Sequence, residues 1–293
     1  MGKAAQGKER TARERLAAER AAESRKAAAR QRLLFMGGGI VVVIALVVGF
    51  IVARSGQKPP AAAGSATNAQ IASEIAGVST ATFDAVGKGT ANGLKAISGQ
   101  PELTEDGKPE VLYIGGEYCP YCAAERWAIA TALSRFGTLS APKLIHSSPT
   151  DSFANTPTLS FAGSSYTSKY VAFSPVEWYG EAEDASTPFG HVYFQQPTAP
   201  EEALFNQYSG GSLPFVDIGN RYTLALGAQY NPGDLAGLTW SQIAADLKNP
   251  SSTVAKDIDG AANMITAALC KLTNGQPGNV CSSAGVKAAA GSL

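Results

Sequence analysis

The stretch VLYIGGEYCPYCAAERW, at residues 111–127, contains the features that decide the fold. Its first four residues are apolar and include β-branched and aromatic side chains, which is typical of a buried strand. Two glycines end that strand, and Cys119 and Cys122 follow. Pro120 stands after the first cysteine, and proline is favoured at the first helical position because the N–H it lacks would be unpaired there. The pattern therefore predicts a strand and then a helix with Cys119 as its N-cap.

The N-cap position has a chemical consequence for Cys119. An N-cap side chain accepts hydrogen bonds from the free N–H groups of the first turn, and the positive end of the helix dipole favours an anion. Both effects stabilise a thiolate, which is the attacking species in disulfide exchange. Cys122 lies one turn inside the helix, where it could attack a mixed disulfide formed on Cys119. The sequence thus predicts a redox pair with Cys119 as nucleophile and Cys122 as resolving cysteine.

Two other uses of the pair are less well supported. A zinc site needs two more ligands, but the chain has no second C-x-x-C and no H-x-x-x-H. A passive staple is disfavoured because a disulfide between cysteines so close at a helix start is strained and easily reduced. We therefore expect no metal and no cofactor.

The same residues carry a resemblance to a known superfamily. VLYIGGEYCPYCAAERW resembles the strand, C-x-x-C and helix of thioredoxin-like proteins, and Pro120–Tyr121 matches the dipeptide common in glutaredoxins. More narrowly, residues 75–285 are similar to an uncharacterised family of membrane-anchored thioredoxin-like proteins, and ALCKLTNGQPGNVCSS is the second specific segment. The resemblance implies an α/β, thioredoxin-like fold, and it supports that fold more than any substrate.

The resemblance also requires a cis-proline that faces the reactive cysteine. SLPFVDIGNRYTLAL offers Pro214, an apolar strand, Gly-Asn as a two-residue turn and a second strand. A cis bond would place the backbone of Leu213 beside Cys119, where an extended peptide substrate could pair. A trans proline that opens an edge strand is the alternative.

The other elements follow from local patterns. APKLIHSS is predicted to be the second strand of the βαβ unit, whereas YTSKYVAF and GHVYFQQ indicate an inserted region of short strands. TWSQIAADLKN, with Thr239 as N-cap, and STVAKDIDGAANMITAALCKL both read as helices after the hairpin. The expected architecture is a thioredoxin-like domain with an insertion and a C-terminal helical extension.

Four polar residues could influence the pair. His146 falls near the C-terminal end of its predicted strand, where it could tune Cys119 or simply be a polar side chain at a strand end. His191 is the weaker candidate of the two histidines. Negative charge on Glu117 or Glu125 would raise a thiol pKa, although most glutamates on a helix surface are only solvated.

The remaining cysteines, Cys270 and Cys281, flank a turn-rich segment after a helix. Outside the cytoplasm such a pair usually forms a structural disulfide. A second redox pair that shuttles electrons is the alternative.

The N-terminal part predicts a membrane anchor. Residues 33–53 contain 21 residues and no charge, and such a helix would span about 31 Å, one bilayer core. Residues 1–32 hold ten Lys/Arg and four Glu, a net charge of 10 − 4 = +6, so the positive-inside rule places the N-terminus in the cytoplasm. A cleaved signal peptide is the alternative. The predicted order is a basic cytoplasmic tail at 1–32, a transmembrane helix at 33–53, a linker at 54–70 and an extracytoplasmic domain at 71–293.

The sequence therefore predicts a single-pass protein of the cell membrane that exchanges thiols and disulfides with secreted or membrane proteins. Whether it also has a redox partner in the membrane is left open, as is the direction of electron flow, because no motif sets the reduction potential. We expect no nucleic-acid binding, since the basic tail has no aromatic residue to stack on bases. The alternative function is a non-catalytic thioredoxin-like module that holds a protein partner at the cell surface.

Overall fold

The computed structural model describes residues 66–224 and 227–293, and these residues form a mixed α/β fold around a central mixed sheet. The predicted cytoplasmic tail and transmembrane segment lie outside the described residues. Within those residues, no helix is both long enough and apolar enough to cross a membrane. The first described helix begins at Asn68, which is inside the segment predicted to be a linker.

The bounds of the elements are as follows. The strands are β1 Leu94–Ala96, β2 Thr104–Glu105, β3 Lys108–Gly116, β4 Gly137–Leu139, β5 Lys143–His146, β6 Pro157–Ser160, β7 Tyr166–Ser168, β8 Ala172–Glu183, β9 His191–Tyr193, β10 Phe215–Ile218 and β11 Tyr222–Leu224. The helices are α1 Asn68–Ala76, α2 Thr80–Val86, α3 Pro120–Leu133, α4 Ala199–Tyr208, α5 Trp240–Asp246, α6 Thr253–Leu272, α7 Gly278–Cys281 and α8 Ala284–Ala290. A 3₁₀ turn covers Pro232–Leu235.

Seven of the described strands form the central sheet. Their order is β1–β11–β10–β3–β8–β9, and β2 pairs with the N-terminal end of β3. β3 and β8 run parallel, whereas the other pairings in this sheet are antiparallel. At the centre, Ile114 of β3 lies opposite Phe215 on one side and Val176 on the other. The sheet thus brings β3, which leads into the cysteine pair, into its middle.

Both faces of β3 are covered. Val111 and Tyr113 belong to the larger core, which also includes residues of α3 and α6. Leu112 and Ile114 belong to a second core on the other face, together with Phe205 of α4. Because side chains alternate along a strand, burial on both faces requires a continuous apolar run, and such a run is what the sequence contains.

Two long helices pack against each other in the larger core. All residues of α3 are buried except Tyr121. α6 packs across α3, and a Cβ at Gly260 of α6 would collide with the backbone of Lys88 and Gly89. The predicted N-cap of α5 is confirmed, because the Thr239 hydroxyl accepts a hydrogen bond from the backbone N–H of Gln242.

The predicted partner strand of β3 is wrong. β5, in the segment APKLIHSS, pairs antiparallel with β6 in a separate two-stranded sheet. The parallel neighbour of β3 is β8, which lies in the part predicted to be an insertion. Only Ile145 of β5 is buried, whereas β8 is buried from Val176 to Gly180 and can cover the side of β3. Glu177 interrupts the apolar pattern of β8, so the sequence pattern does not indicate that this strand is buried.

The turn between β10 and β11 differs slightly from the prediction. Gly219 and Asn220 both have positive φ, 63° and 54°. Ile218 pairs with Tyr222, so Arg221 belongs to the turn and not to the second strand. The hairpin itself lies where the sequence predicts it.

Candidate functional site

The cysteine pair lies at the junction of β3 and α3. Cys119 is the N-cap of α3, with extended backbone angles, and its Sγ accepts a hydrogen bond from the backbone N–H of Cys122 at 3.4 Å. Pro120 occupies the first helical position. The predicted local structure is therefore confirmed, and one sulfur faces the free N–H groups of the first turn.

The two thiols have different environments. Cys119 keeps 6% of its surface exposed, whereas Cys122 has none, and both are free thiols. A hydrogen bond from the Cys122 thiol is the largest cause that lowers the pKa of Cys119; burial opposes it, and the Cys122 N–H and the charge of Arg126 add to it. Burial, and then the hydrogen bond given to Cys119, raise the pKa of Cys122. Loss of a proton is therefore easier for Cys119 than for Cys122, and Cys119 is the cysteine of the pair that keeps some exposed surface.

A second chain segment faces the exposed sulfur. The Cys119 Sγ lies 4.0 Å from the carbonyl oxygen of Leu213. The Leu213–Pro214 peptide bond is cis, and Pro214 immediately precedes β10. The structure thus brings together the four residues that the sequence singled out for the site, although 94 positions separate Cys119 from Leu213.

A buried ion pair that the sequence analysis missed lies beneath the thiols. Arg126 Nε and Nη2 donate to the two carboxylate oxygens of Glu177 at 2.9 and 2.7 Å, and both side chains are fully buried. Nη2 also donates to the carbonyl oxygen of Gly116 at 2.6 Å. The N–H of Gly116 in turn donates to the Cys122 Sγ at 3.4 Å. The available signal was that Arg126 falls one helical turn after Cys122, on the same side of α3.

Two glutamates near the pair are not solvated, contrary to what is usual for such residues. Glu117 is buried and accepts a hydrogen bond from Ser160 Oγ at 2.5 Å. Glu125 is also buried and accepts hydrogen bonds from the backbone N–H and the side-chain amide of Gln229, at 3.1 and 3.0 Å. Burial raises the pKa of Glu125 to about 7. Their partners are distant in sequence, so the sequence alone could not reveal this burial.

The histidines differ from their predicted ranking. His146 is exposed at the end of β5, and its ring centre lies 4.3 Å from that of Trp240. His191, which seemed the weaker candidate, stacks on Tyr118 with ring centres 3.7 Å apart and planes inclined by 9°. Since Tyr118 directly precedes Cys119, His191 is the histidine that contacts the cysteine loop.

An exposed aromatic pair borders the site. Tyr121, between the two cysteines, is 39% exposed and contacts Phe153 edge-to-face, with ring centres 6.0 Å apart. Phe153 is 36% exposed and has a φ of 52°, a conformation that bulky residues rarely adopt. Two partly exposed aromatic rings therefore adjoin the turn that carries the cysteines.

The other two cysteines are bonded to each other. Cys270, near the end of α6, and Cys281, at the end of α7, form a disulfide with a Cα–Cα distance of 5.6 Å. The pairing is the one that the sequence predicts. In the described part of the chain, no group of three or more His, Cys, Asp or Glu residues is arranged to hold a metal ion.

Comparison with known proteins places this site within a family. Residues 96–271 match a family described as a domain of unknown function, DUF929, and the match covers more than half of the chain. The chain belongs to the DUF929 family. No curated protein and no solved structure shows significant similarity to it.

The DUF929 match includes the cysteine pair, Leu213 and Pro214, and it ends just after Cys270. Cys281 lies beyond it, as do the residues predicted to cross the membrane. The family match does not show whether the domain is thioredoxin-like or membrane-anchored, so both stay predictions from the sequence.

The arrangement in this DUF929 domain has a defined chemical capability. Once ionised, Cys119 could attack a disulfide through the small part of its surface that stays exposed, and the buried Cys122 could then displace the attached group. The two steps need no metal or cofactor, because sulfur atoms carry the electron pair throughout.

Proposed function

We propose that this protein is a thiol–disulfide oxidoreductase. The observation that carries the proposal is the N-cap position of Cys119, where its sulfur accepts the Cys122 N–H and faces the Leu213 carbonyl oxygen at 4.0 Å. In the reducing direction, the Cys119 thiolate attacks a substrate disulfide and releases one substrate thiolate. The Cys122 thiol then loses its proton, attacks Cys119 in the mixed disulfide and releases the second substrate thiolate. The reverse sequence oxidises a substrate dithiol.

The sheet supports the thioredoxin-like part of the proposal. The resemblance implies a strand, the reactive helix, a parallel strand on one side, and an antiparallel hairpin on the other. The order β8–β3–β10–β11, with β3 and β8 parallel and α3 between them in sequence, agrees with that arrangement. The cis bond before Pro214 also agrees with it.

We also propose that the domain lies outside the cytoplasm, on a single membrane anchor. The proposal rests on the uncharged segment at 33–53 and on the excess of Lys and Arg before it. The disulfide between Cys270 and Cys281 supports it, because structural disulfides persist in oxidising compartments. Secreted and membrane proteins would then be the substrates.

The test separates the two cysteines. Cys122→Ala should retain the first step and lose the second, so mixed disulfides with client proteins should accumulate in cells and disappear when a reductant is added. Cys119→Ser is the matched control and should form few adducts. Mass spectrometry of the adducts would identify the clients.

A non-catalytic module that only holds a partner predicts a different result. Both variants would then bind the partner as well as the parent does, with no covalent link. An absence of reductant-sensitive adducts from Cys122→Ala, together with a parent pair that stays oxidised, would refute the oxidoreductase. The reduction potential would then give the direction of exchange: a value near about −120 mV indicates an oxidant, and one near about −270 mV a reductant.

A further inference from the structure

Stability of the fold alone does not explain why Arg126 and Glu177 form a buried ion pair. Removing two charges from water costs several kcal/mol for each ion, and apolar residues of similar volume are often equally stable or more so. Yet both side chains are fully buried, beside the thiols and not at a surface. The Arg126 Nη1 atom has no hydrogen-bond partner among the described residues.

The orientation of this pair places its positive end towards the sulfur atoms. Arg126 lies four positions after Cys122 on α3, so the two side chains share a face of the helix. Glu177 approaches the guanidinium from β8, on the side of the sheet. The charge of Arg126 acts to lower the pKa of both Cys119 and Cys122.

Arg126 is the cationic group that acts on both thiols, whereas His191 contacts the ring of Tyr118. Tyr113, on β3, and Tyr118, before Cys119, are neutral at ordinary pH because burial raises the pKa of each. Glu117 faces Ser160, and its charge has the wrong sign. An arginine keeps its proton under all conditions in which a protein is folded.

We propose that Arg126 is a positioning residue that stabilises the Cys119 thiolate from the interior side of the site. Glu177 holds the guanidinium of Arg126 in place and offsets part of its positive charge. This role rests on the proposed exchange activity, and it accounts for how the chain keeps an attacking thiolate in a site that is almost closed to water. Arg126 acts in two ways: its charge attracts the thiolate, and its hydrogen bond to the Gly116 carbonyl holds the strand end that donates to Cys122.

The experiment compares three variants of the full-length reduced protein by the pH dependence of the rate at which iodoacetamide alkylates Cys119. Arg126→Gln removes the positive charge, so the pKa of Cys119 should rise by about one unit and its alkylation rate at low pH should fall about tenfold. Glu177→Gln removes the opposing negative charge while keeping an oxygen that can accept from the Phe161 N–H, so the pKa should fall. Arg126→Lys keeps the charge, so the pKa of Cys119 in this variant should stay close to its value in the parent.

The opposite signs distinguish an electrostatic role from structural damage. Damage to the site would move the pKa in the same direction for Arg126→Gln and Glu177→Gln, and that result would overturn the proposal. An equal shift for the Lys and Gln variants of Arg126 would overturn it as well. If Arg126→Gln does not fold, Glu177→Gln decides: a lower pKa supports the proposal, and an unchanged or higher one refutes it.

The readout is also independent of the proposed exchange activity. Alkylation reports the charge on the sulfur and needs no protein substrate. A Cys122→Ala variant that traps no clients, together with a parent pair that stays oxidised, would refute the oxidoreductase, whereas unchanged titration of Cys119 in the Arg126 and Glu177 variants would refute only the role of Arg126.

Discussion

Replacing Asp259 by asparagine should change how the stability of the protein depends on pH. Asp259 lies on α6 with none of its surface exposed, and neither carboxylate oxygen has a hydrogen-bond partner among the described residues. Burial raises the pKa of Asp259 to about 8, and the charge of Arg135 opposes only part of that shift. The carboxyl group is therefore mostly protonated in the folded chain at pH 7.

The magnitude follows from proton binding in the two states. In the unfolded chain an aspartate has a pKa of about 3.9. Between about pH 5 and pH 7 the folded chain thus holds a proton that the unfolded chain has lost, and the free energy of unfolding falls as the pH rises. One such group contributes about 1.4 kcal/mol per pH unit, or about 2.7 kcal/mol over this interval. Asp259→Asn removes that contribution, so the variant should gain stability relative to the parent as the pH rises.

Urea unfolding at a series of pH values would measure this effect. Glu125, Asp217 and Asp257 also have raised pKa values because of burial, so the parent should lose stability more steeply than one group explains. Only the difference between parent and variant isolates Asp259. Glu102→Gln, which removes an exposed carboxylate, is the matched control. Parallel stability curves for the parent and Asp259→Asn would show that the reasoning is wrong.

Three further predictions concern other parts of the chain. Replacing Cys270 and Cys281 together by alanine should destabilise the protein by about 3 kcal/mol in thermal unfolding, because the disulfide closes a short loop, and exchange should persist; unchanged stability with lost exchange would instead indicate a shuttle pair. Gly260→Ala should destabilise the fold despite the better helix propensity of alanine, since a Cβ would collide with the Lys88 backbone, whereas Gly278→Ala, with open space around it, should have little effect; equal urea midpoints would contradict this. Protease added to intact cells should remove the domain and leave the basic tail, and protection of the entire chain would exclude the proposed topology.

The part of the site that could be predicted is the part built from neighbouring residues. The apolar run before Gly115, the proline after Cys119 and the helix-forming residues beyond it all act over a few positions. Local rules for caps and strands therefore identify β3, α3 and the N-cap cysteine. The hairpin before and after Gly219 could be predicted for the same reason, although the length of its turn could not.

The rest depends on contacts between distant segments. Glu177 lies 51 positions after Arg126, and Gln229 lies 104 positions after Glu125. Each charged residue looks like a solvated surface residue until its partner is known. The same difficulty concealed β8, whose Glu177 is polar in the sequence but satisfied by an arginine in the fold. A short apolar segment such as β5 consequently resembled the missing strand more closely than β8 did.

The shortness of the outer strands limits how this protein can associate with others. β1 and β9, which end the central sheet in the described part of the chain, have three residues each. An added strand could form few main-chain hydrogen bonds along either of them, and short edge strands are one way in which proteins avoid unwanted aggregation. Stacking of copies through sheet extension is therefore disfavoured. Under the proposed function, a client would therefore be held beside Cys119 and Leu213 and not along either edge of the sheet.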